Sequence, residues 1–121
     1  MAWSKRAQVL KKLRRHGVVG SVAALYAAAG FSVTIGFKTP KGEVGFLARK
    51  GGEVYAVDVH YGSRPLSPEQ VEAIASKAGS ISARPILVVY GRAKVSDEAW
   101  AKARELGVKV KHVRRLFYGP H

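Results

Sequence analysis

Most of the residues that could do chemistry in this chain are cations, and they are concentrated at its two ends. The first acid is Glu43, and the bases that precede it are Lys5, Arg6, Lys11, Lys12, Arg14, Arg15, Lys38 and Lys41. A second basic group surrounds His112 and consists of Lys109, Lys111, Arg114 and Arg115. Blocks of Lys and Arg neutralise phosphates without reading a base sequence. We therefore predict a nucleic-acid-binding surface, in preference to a merely soluble and self-repelling one.

The composition fits a small domain with an anionic partner. The chain has 121 residues, of which 21 are Lys or Arg and 8 are Asp or Glu, so its formal charge is +13. Apolar residues make up 47% of the chain, which is enough for the core of one compact domain over residues 1–121. No apolar run approaches the roughly 18 residues of a membrane span. We therefore expect a cytoplasmic protein with no membrane partner.

Several kinds of catalytic site are missing from the sequence. The chain has no cysteine, which excludes disulfides, cysteine zinc sites and a thiol nucleophile. Its four histidines lack the spacing of metal ligands, and no glycine-rich loop has a phosphate-binding pattern. The acid of most interest is Asp58, because it lies inside an apolar run and a buried carboxylate needs partners.

Local signals predict the elements that must position these residues. The predicted helices cover residues 1–17, which are strongly basic, and 18–29, 67–78 and 96–106. The predicted strands cover 31–37, 43–49, 53–60, 85–90 and 108–113, with an irregular tail over 115–121. The strand over 53–60 is apolar enough to lie at the centre of a sheet. An antiparallel meander leading into a parallel β–α–β portion gives a mixed sheet with helices on its faces.

Two strand segments carry a resemblance to a known family. The order of elements, the segment Gly42-Glu43-Val44, and the later segment Val57-Asp58-Val59-His60 resemble the PD-(D/E)xK nuclease superfamily, in its archaeal Holliday-junction-resolvase and RecB-like branch. The resemblance implies an α/β protein with a restriction-endonuclease-like mixed sheet, flanking helices and the order α-α-β-β-β-α-β-α-β. The nuclease-like core would span residues 18–114.

The same resemblance implies where a catalytic site would lie. Family members hold a divalent metal with an Asp on the second strand and a Glu or Asp on the third, and a Lys two positions on acts on the attacking water. Here Gly45 stands in place of the first Asp, with Glu43 two residues earlier, and His60 stands in place of the Lys. The implied catalytic set is Glu43, Asp58 and His60, with Glu43 and Asp58 as ligands of Mg²⁺.

These departures leave three interpretations of Glu43, Asp58 and His60. They form an altered metal site, or they are remnants in a catalytically inactive binding domain, or they are ordinary strand residues with Asp58 paired to a nearby base. No cofactor follows from the residues themselves, and Mg²⁺ follows only if the site is catalytic. Arg64, in the loop after the third strand, is a further expected phosphate contact.

A second segment is similar to the C-terminal domain of archaeal tRNA-splicing endonucleases. The similarity rests on Gly36-Phe37-Lys38, on Ala78-Gly79-Ser80-Ile81 and on the strand at Ile86. Residues near the positions of that family's catalytic Tyr, His and Lys are Ala48, Glu53, and Arg84 or Pro85, so the likeness implies a non-catalytic structural subunit.

Together these features predict a basic nucleic-acid-binding protein, with DNA favoured and RNA possible, that has a nuclease-like fold and an inactive or altered metal site. The alternatives are a magnesium-dependent structure-specific endonuclease and a structural subunit of a tRNA-splicing-type RNA endonuclease. The expected partners besides nucleic acid are a second copy of the chain, in a homodimer, or the other subunits of a larger nuclease complex.

Overall fold

The computed structural model describes residues 16–113. The helices are α1 (Gly17–Ala28), α2 (Pro68–Gly79) and α3 (Asp97–Leu106). The strands are β1 (Ser32–Ile35), β2 (Lys38–Thr39), β3 (Gly42–Glu43), β4 (Phe46–Lys50), β5 (Glu53–Tyr61), β6 (Arg84–Tyr90) and β7 (Lys109–Val113). The basic helix predicted over residues 1–17 lies outside the described residues except at its last two positions, and so does the tail predicted over 115–121.

Local capping explains where the helices on one side of the sheet begin and end. Ser67 caps α2 by accepting a hydrogen bond from the Gln70 backbone N–H, while the Gln70 side chain accepts one from the Ser67 N–H. Ser96 caps α3 by accepting a hydrogen bond from the Ala99 backbone N–H, and Gly107 ends that helix in the left-handed conformation at φ +70°. Within residues 16–113, no helix is both long enough and apolar enough to cross a membrane.

Five strands form a mixed sheet in the order β1-β4-β5-β6-β7. The pairs β1–β4 and β4–β5 are antiparallel, and β5–β6 and β6–β7 are parallel. β5 therefore lies at the centre, as its apolar sequence predicts. The mixed sheet with flanking helices confirms the predicted fold class.

Each face of the sheet is covered by a different set of helices. Val57 on β5 packs with Val22 of α1, whereas its neighbour Ala56 packs with Ile74 of α2 and Ala99 of α3. Since side chains alternate along a strand, Asp58 and His60 lie on the same face as Ala56. Asp58 is thus on the face that α2 and α3 cover.

The predicted order of elements is wrong in one respect, because five strands precede α2 instead of three. The strands predicted over 31–37 and 43–49 form one hairpin that is broken in the middle into two pairs, β1–β4 and β2–β3. The register is the same on both sides, since Ile35 pairs with Phe46 and Lys38 pairs with Glu43. Gly36 has φ +68°, and this left-handed residue bends the hairpin.

Candidate site at the carboxyl end of the parallel strands

Asp58 lies where β4 and β5 separate. The last pair between these strands joins Phe46 to Val57, so Asp58 is one position beyond the end of the ladder. Its carboxylate continues the pairing, because Oδ1 accepts a hydrogen bond of 2.8 Å from the Gly45 backbone N–H. One oxygen of this carboxylate therefore holds the hairpin against the central strand.

Lys77, on α2, binds the other oxygen. Its Nζ donates to Asp58 Oδ2 at 2.7 Å and to the backbone oxygen of Glu43 at 3.0 Å. The Lys77 side chain is 15% exposed and that of Asp58 is 25% exposed, so the pair is shielded from most of the solvent. A helical side chain leans toward the N-terminus of its helix, which lets Lys77 reach back to β5. We refer to Asp58, Lys77 and the Gly45 N–H as the Asp58 centre.

Both ring nitrogens of His60 are also hydrogen-bonded. Gln70 Oε1 accepts from the Ser67 N–H, so its amide nitrogen is the atom that faces His60 Nδ1, at 2.9 Å. The amide donates to Nδ1, which leaves Nε2 to donate to the Arg64 backbone oxygen at 2.7 Å. His60 therefore fixes the β5–α2 loop and does not supply the cation that the resemblance places at this position.

A divalent metal is what the resemblance implies for this site, and the residues present do not fit one. Glu43 Oε2 turns back to the other arm of the hairpin, 3.4 Å from where a Cβ on Gly36 would lie. A Cβ on Gly45 would lie 3.0 Å from the Val57 oxygen and 3.4 Å from a Val19 methyl, which leaves little room for a side chain. No three His, Asp or Glu residues between positions 16 and 113 are grouped as metal ligands. The carboxylate of Asp58 remains, and each of its oxygens already accepts a hydrogen bond.

The predicted phosphate contacts that fall in residues 16–113 are divided between the loops at the Asp58 end of the sheet and the last strand, β7. Lys38 and Lys41 lie near the tip of the hairpin and Arg64 lies in the β5–α2 loop, so all three are at the Asp58 end. Lys109 begins β7 in register with Ile86 of β6, which pairs in turn with Val57, one position before Asp58 on β5. Lys111 lies on the α1 face, with Nζ 5.5 Å from the centre of the Tyr26 ring. The remaining predicted contacts lie outside the described residues: Lys5, Arg6, Lys11, Lys12, Arg14, Arg15, Arg114 and Arg115.

Both basic end segments nevertheless join the fold at the Asp58 end. The start of α1 lies there, because Val19 of this helix adjoins Gly45. The end of β7 lies there too, since Val113 pairs with Tyr90, and Tyr90 pairs with Tyr61 at the end of β5. Residues 1–15 and 114–121 together contain eight of the 21 basic residues and none of the acids. Their points of attachment thus coincide with the carboxyl ends of the parallel strands.

Two loops at this end are joined by hydrogen bonds. Leu66, in the β5–α2 loop, forms a parallel bridge with Val95, in the β6–α3 loop. The Leu66 N–H donates to the Lys94 oxygen at 2.7 Å, and the Ser96 hydroxyl donates to the Leu66 oxygen at 3.1 Å. This bridge places Arg92 and Lys94 beside the loop that carries Arg64. Neither Arg92 nor Lys94 was singled out from the sequence, because only the folded loops bring them to the same edge.

Lys77 was also missed by sequence reasoning. An acid in an apolar strand indicates that a partner is needed, but the signal does not say which base supplies it. The interpretation in which Asp58 pairs with a nearby base matches the ion pair with Lys77.

Comparisons with known proteins bear on the fold. Neither a protein-family model nor a curated protein sequence matches the chain. Among solved structures, the chain is similar to the protein of unknown function AF1548, with a TM-score of 0.60 and 18% identity over 75% of this chain and 54% of that one. It is similar to a repair endonuclease from Pyrococcus abyssi, with a TM-score of 0.61 and 13% identity over 94% of this chain and 49% of that one.

A third similar structure is SfsA from Pyrococcus furiosus in complex with Ca²⁺, with a TM-score of 0.55 and 12% identity over 84% of this chain and 56% of that one. The chain has a restriction-endonuclease-like fold. It spans about half the length of the solved structures that it matches. At these identities the likeness establishes the nuclease-like fold and leaves activity to be argued from the residues.

Proposed function

We propose that this chain binds nucleic acid, with DNA favoured, at the carboxyl end of its parallel strands, and that Asp58 has a structural role there. We favour DNA because the sequence resembles DNA-junction nucleases and because one solved structure with this fold is a repair endonuclease. The chain would act as a homodimer or within a larger nuclease complex. Its cations would contact phosphates, so binding would depend steeply on salt.

The observation that carries this proposal is the state of the Asp58 carboxylate. Oδ1 is bonded to the Gly45 N–H and Oδ2 to the Lys77 ammonium. A Mg²⁺ ion bound to this carboxylate would lie beside the Lys77 ammonium and would be repelled by its positive charge. Gly45 leaves little room for a second carboxylate, and no group of three His, Asp or Glu residues within 16–113 could hold the ion, so no second ligand offsets that repulsion.

The distribution of charge supports the first half of the proposal, the binding of nucleic acid. The exposed cations Lys38, Lys41, Arg64, Arg92 and Lys94 lie at the Asp58 end, and none forms an ion pair with an acid of residues 16–113. The acids of the first helical turns here are Glu69, Asp97 and Glu98, and they interact favourably with the helix dipoles. The basic end segments join at the same end and add to the field.

One observation favours an alternative, a magnesium-dependent structure-specific endonuclease. Lys77 brings to Asp58 the cation that the resemblance places at residue 60. In this alternative the ammonium would stabilise charge on a phosphate that approaches Asp58.

Titration of the full chain with fluorescently labelled duplex and four-way branched DNA, with and without Mg²⁺, tests the two functions. We expect binding whose logarithm falls with log salt by about 0.9 per phosphate contact, and no cleavage. Replacing Lys11, Lys12, Arg14 and Arg15 by Gln should lower the slope by about 3 to 4. Asp58→Ala, compared at equal folded fraction, should bind like the parent protein.

A control variant tests whether the effect depends on where the removed cations lie. Arg49→Gln with Arg104→Gln removes two exposed cations at the end of β4 and in the last turn of α3, and should change the slope little. Cleavage with Mg²⁺ that disappears in Asp58→Ala would establish the alternative. An absence of binding to DNA and RNA at low salt would contradict the proposed function itself.

A further inference from the structure

Trp100 is a large apolar side chain that the fold leaves in solvent. It lies on α3 and is 42% exposed, whereas Ala99 and Ala103 of the same helix are buried against the sheet. Lys102, on the flank toward α2, forms an ion pair with Glu72. The helical repeat of 3.6 residues puts Trp100 on the opposite flank, where β7 is the last strand of the sheet.

A cleft opens beside this side chain. Its volume is about 490 Å³, within the range of sites that take small organic groups. Trp100 forms one wall, the β6–α3 loop with Arg92 and Lys94 forms another, and His112 of β7 completes the lining. We refer to this site as the Trp100 cleft.

The charged residues that line the cleft have one sign, although the acids Asp97 and Glu98 lie nearby in the first turn of α3. Arg92 and Lys94 are exposed and make no ion pair with an acid of residues 16–113. No Asp or Glu is among the residues that line the cleft. His112 Nε2 is 3.1 Å from the Ala93 oxygen, and this hydrogen bond fixes the ring at the edge of β7. The cleft therefore combines an aromatic surface with fixed positive charge.

We propose that the Trp100 cleft binds an unpaired nucleobase of the bound nucleic acid, with the base stacked on Trp100 and the flanking phosphates held by Arg92 and Lys94. This inference rests on the proposed function and names the part of the nucleic acid that the cleft reads. Every base has a flat π face, so stacking of this kind tolerates all sequences. In a blunt duplex those faces are covered by neighbouring bases, and the cleft should then contribute only through its cations.

Charge complementarity favours a nucleic acid over a second copy of the chain. Two copies that met at this cleft would bring Arg92 and Lys94 together with the cations of another chain of formal charge +13. A strand of nucleic acid supplies both the flat ring and the negative charge.

The test compares a single-stranded oligonucleotide with a blunt duplex of the same length, using the full chain and fluorescence anisotropy. Trp100→Ala should weaken single-strand binding by about 5- to 100-fold and should leave duplex binding within about 2-fold. Trp100→Phe should recover most of the loss, because a phenyl ring still stacks. Arg92→Gln with Lys94→Gln should lower the salt slope by about 1 to 2, compared with Arg49→Gln and Arg104→Gln as the matched control.

Fluorescence reports on the same contact directly. The chain has two tryptophans, Trp3 and Trp100, so a Trp3→Phe variant leaves Trp100 as the sole indole. Its emission should be quenched by the single strand and much less by the blunt duplex.

The outcomes separate this inference from the function on which it rests. If neither nucleic acid binds the parent protein, the proposed function fails. If both bind and Trp100→Ala weakens neither, the function stands and the Trp100 cleft is not a stacking site. If light scattering shows that Trp100→Ala dissociates a dimer while nucleic-acid binding is unchanged, the cleft is instead a contact between copies.

Discussion

The Asp58 centre and the Trp100 cleft lie at the same end of the sheet and use their polar groups in opposite ways. In the Asp58 centre, the carboxylate accepts hydrogen bonds from the Lys77 ammonium and from the Gly45 backbone N–H. In the Trp100 cleft, Arg92 and Lys94 face solvent with no acidic partner among residues 16–113. The polar groups of the Asp58 centre are hydrogen-bonded within the protein, whereas the cations of the Trp100 cleft are available to a ligand.

The difference shows how a fold can keep the place of a site while changing its use. A polar group that is already bonded stabilises the fold, and it must break that bond before it can bind anything else. An unpaired exposed cation adds little to stability and is free to contact a phosphate. We therefore expect substitutions in the Asp58 centre to affect unfolding and substitutions in the Trp100 cleft to affect binding.

The largest expected effect on stability is that of Asp58→Ala. Its removal leaves the shielded Lys77 ammonium without its carboxylate and the Gly45 N–H without an acceptor, so the free energy of unfolding should fall by about 2–3 kcal/mol. Urea denaturation measures this change. The double variant Asp58→Ala with Lys77→Met should lose less than Asp58→Ala alone, because no uncompensated charge is then left.

Arg92→Gln with Lys94→Gln is the matched control in the Trp100 cleft. Because both side chains are exposed and neither forms an ion pair with an acid of residues 16–113, this double variant should change the free energy of unfolding by less than about 1 kcal/mol. The comparison breaks down if it destabilises the protein as much as Asp58→Ala does.

An intermediate effect is expected when a carboxylate is placed at residue 45. Gly45→Asp puts a Cβ 3.0 Å from the Val57 oxygen, and the strands must shift to admit it. We expect the variant to be less stable by about 1–3 kcal/mol, and Gly45→Ala to share most of that loss. Thermal unfolding with and without Mg²⁺ should give the same midpoint, since the Lys77 ammonium is still paired with Asp58 and repels the metal ion.

A midpoint for Gly45→Asp that rises by several degrees with Mg²⁺, and does not rise for Gly45→Ala, would contradict this expectation. The Asp58 centre would then be a metal site that lacks one ligand, and the contrast with the Trp100 cleft would lose its basis.

The smallest effect should follow Tyr26→Phe, which removes a buried hydroxyl. This hydroxyl has no hydrogen-bond partner among residues 16–113, so at pH 7 the variant should match the parent protein within about 0.5 kcal/mol. This sets a baseline for Asp58→Ala, where a bonded polar group is removed.

The same variant predicts a dependence on pH. Burial raises the pKa of the Tyr26 phenol above 10.0, and the nearby Tyr55 raises it further. Above pH 10 the unfolded chain loses this proton while the folded chain keeps it, so stability declines as the pH rises toward the folded-state pKa. Tyr26→Phe should lack that part of the decline in urea unfolding at alkaline pH, whereas Tyr61→Phe, at an exposed position, should behave like the parent protein.

The helices within residues 16–113 and the central strand could be predicted from the sequence because their signals are local. The adjacent residues Ser67 and Pro68 mark the start of α2, and the apolar run of β5 indicates a central position. The bend at Gly36 could not be predicted in the same way, since a glycine inside a strand is compatible with both a straight and a kinked path.

The candidate site was less predictable because its contacts are distant in sequence. Asp58 and Lys77 are separated by 19 positions, and the angle at which α2 crosses β5 decides that this lysine reaches the carboxylate. Arg92, Trp100 and His112 likewise belong to a loop, a helix and a strand. Patterns of apolar residues fix which face each side chain occupies but not which neighbours it meets.

The bridge between Leu66 and Val95 has a consequence for the thermodynamics of recognition. Because the two loops share main-chain hydrogen bonds, Arg64 and Lys94 are carried on one rigid edge rather than on two independently moving loops. A ligand that contacts both residues therefore costs little backbone entropy when it binds, and more of the interaction energy of each contact contributes to affinity. Slow exchange of the Leu66 amide proton with deuterium in the free protein would be the sign of this preorganisation.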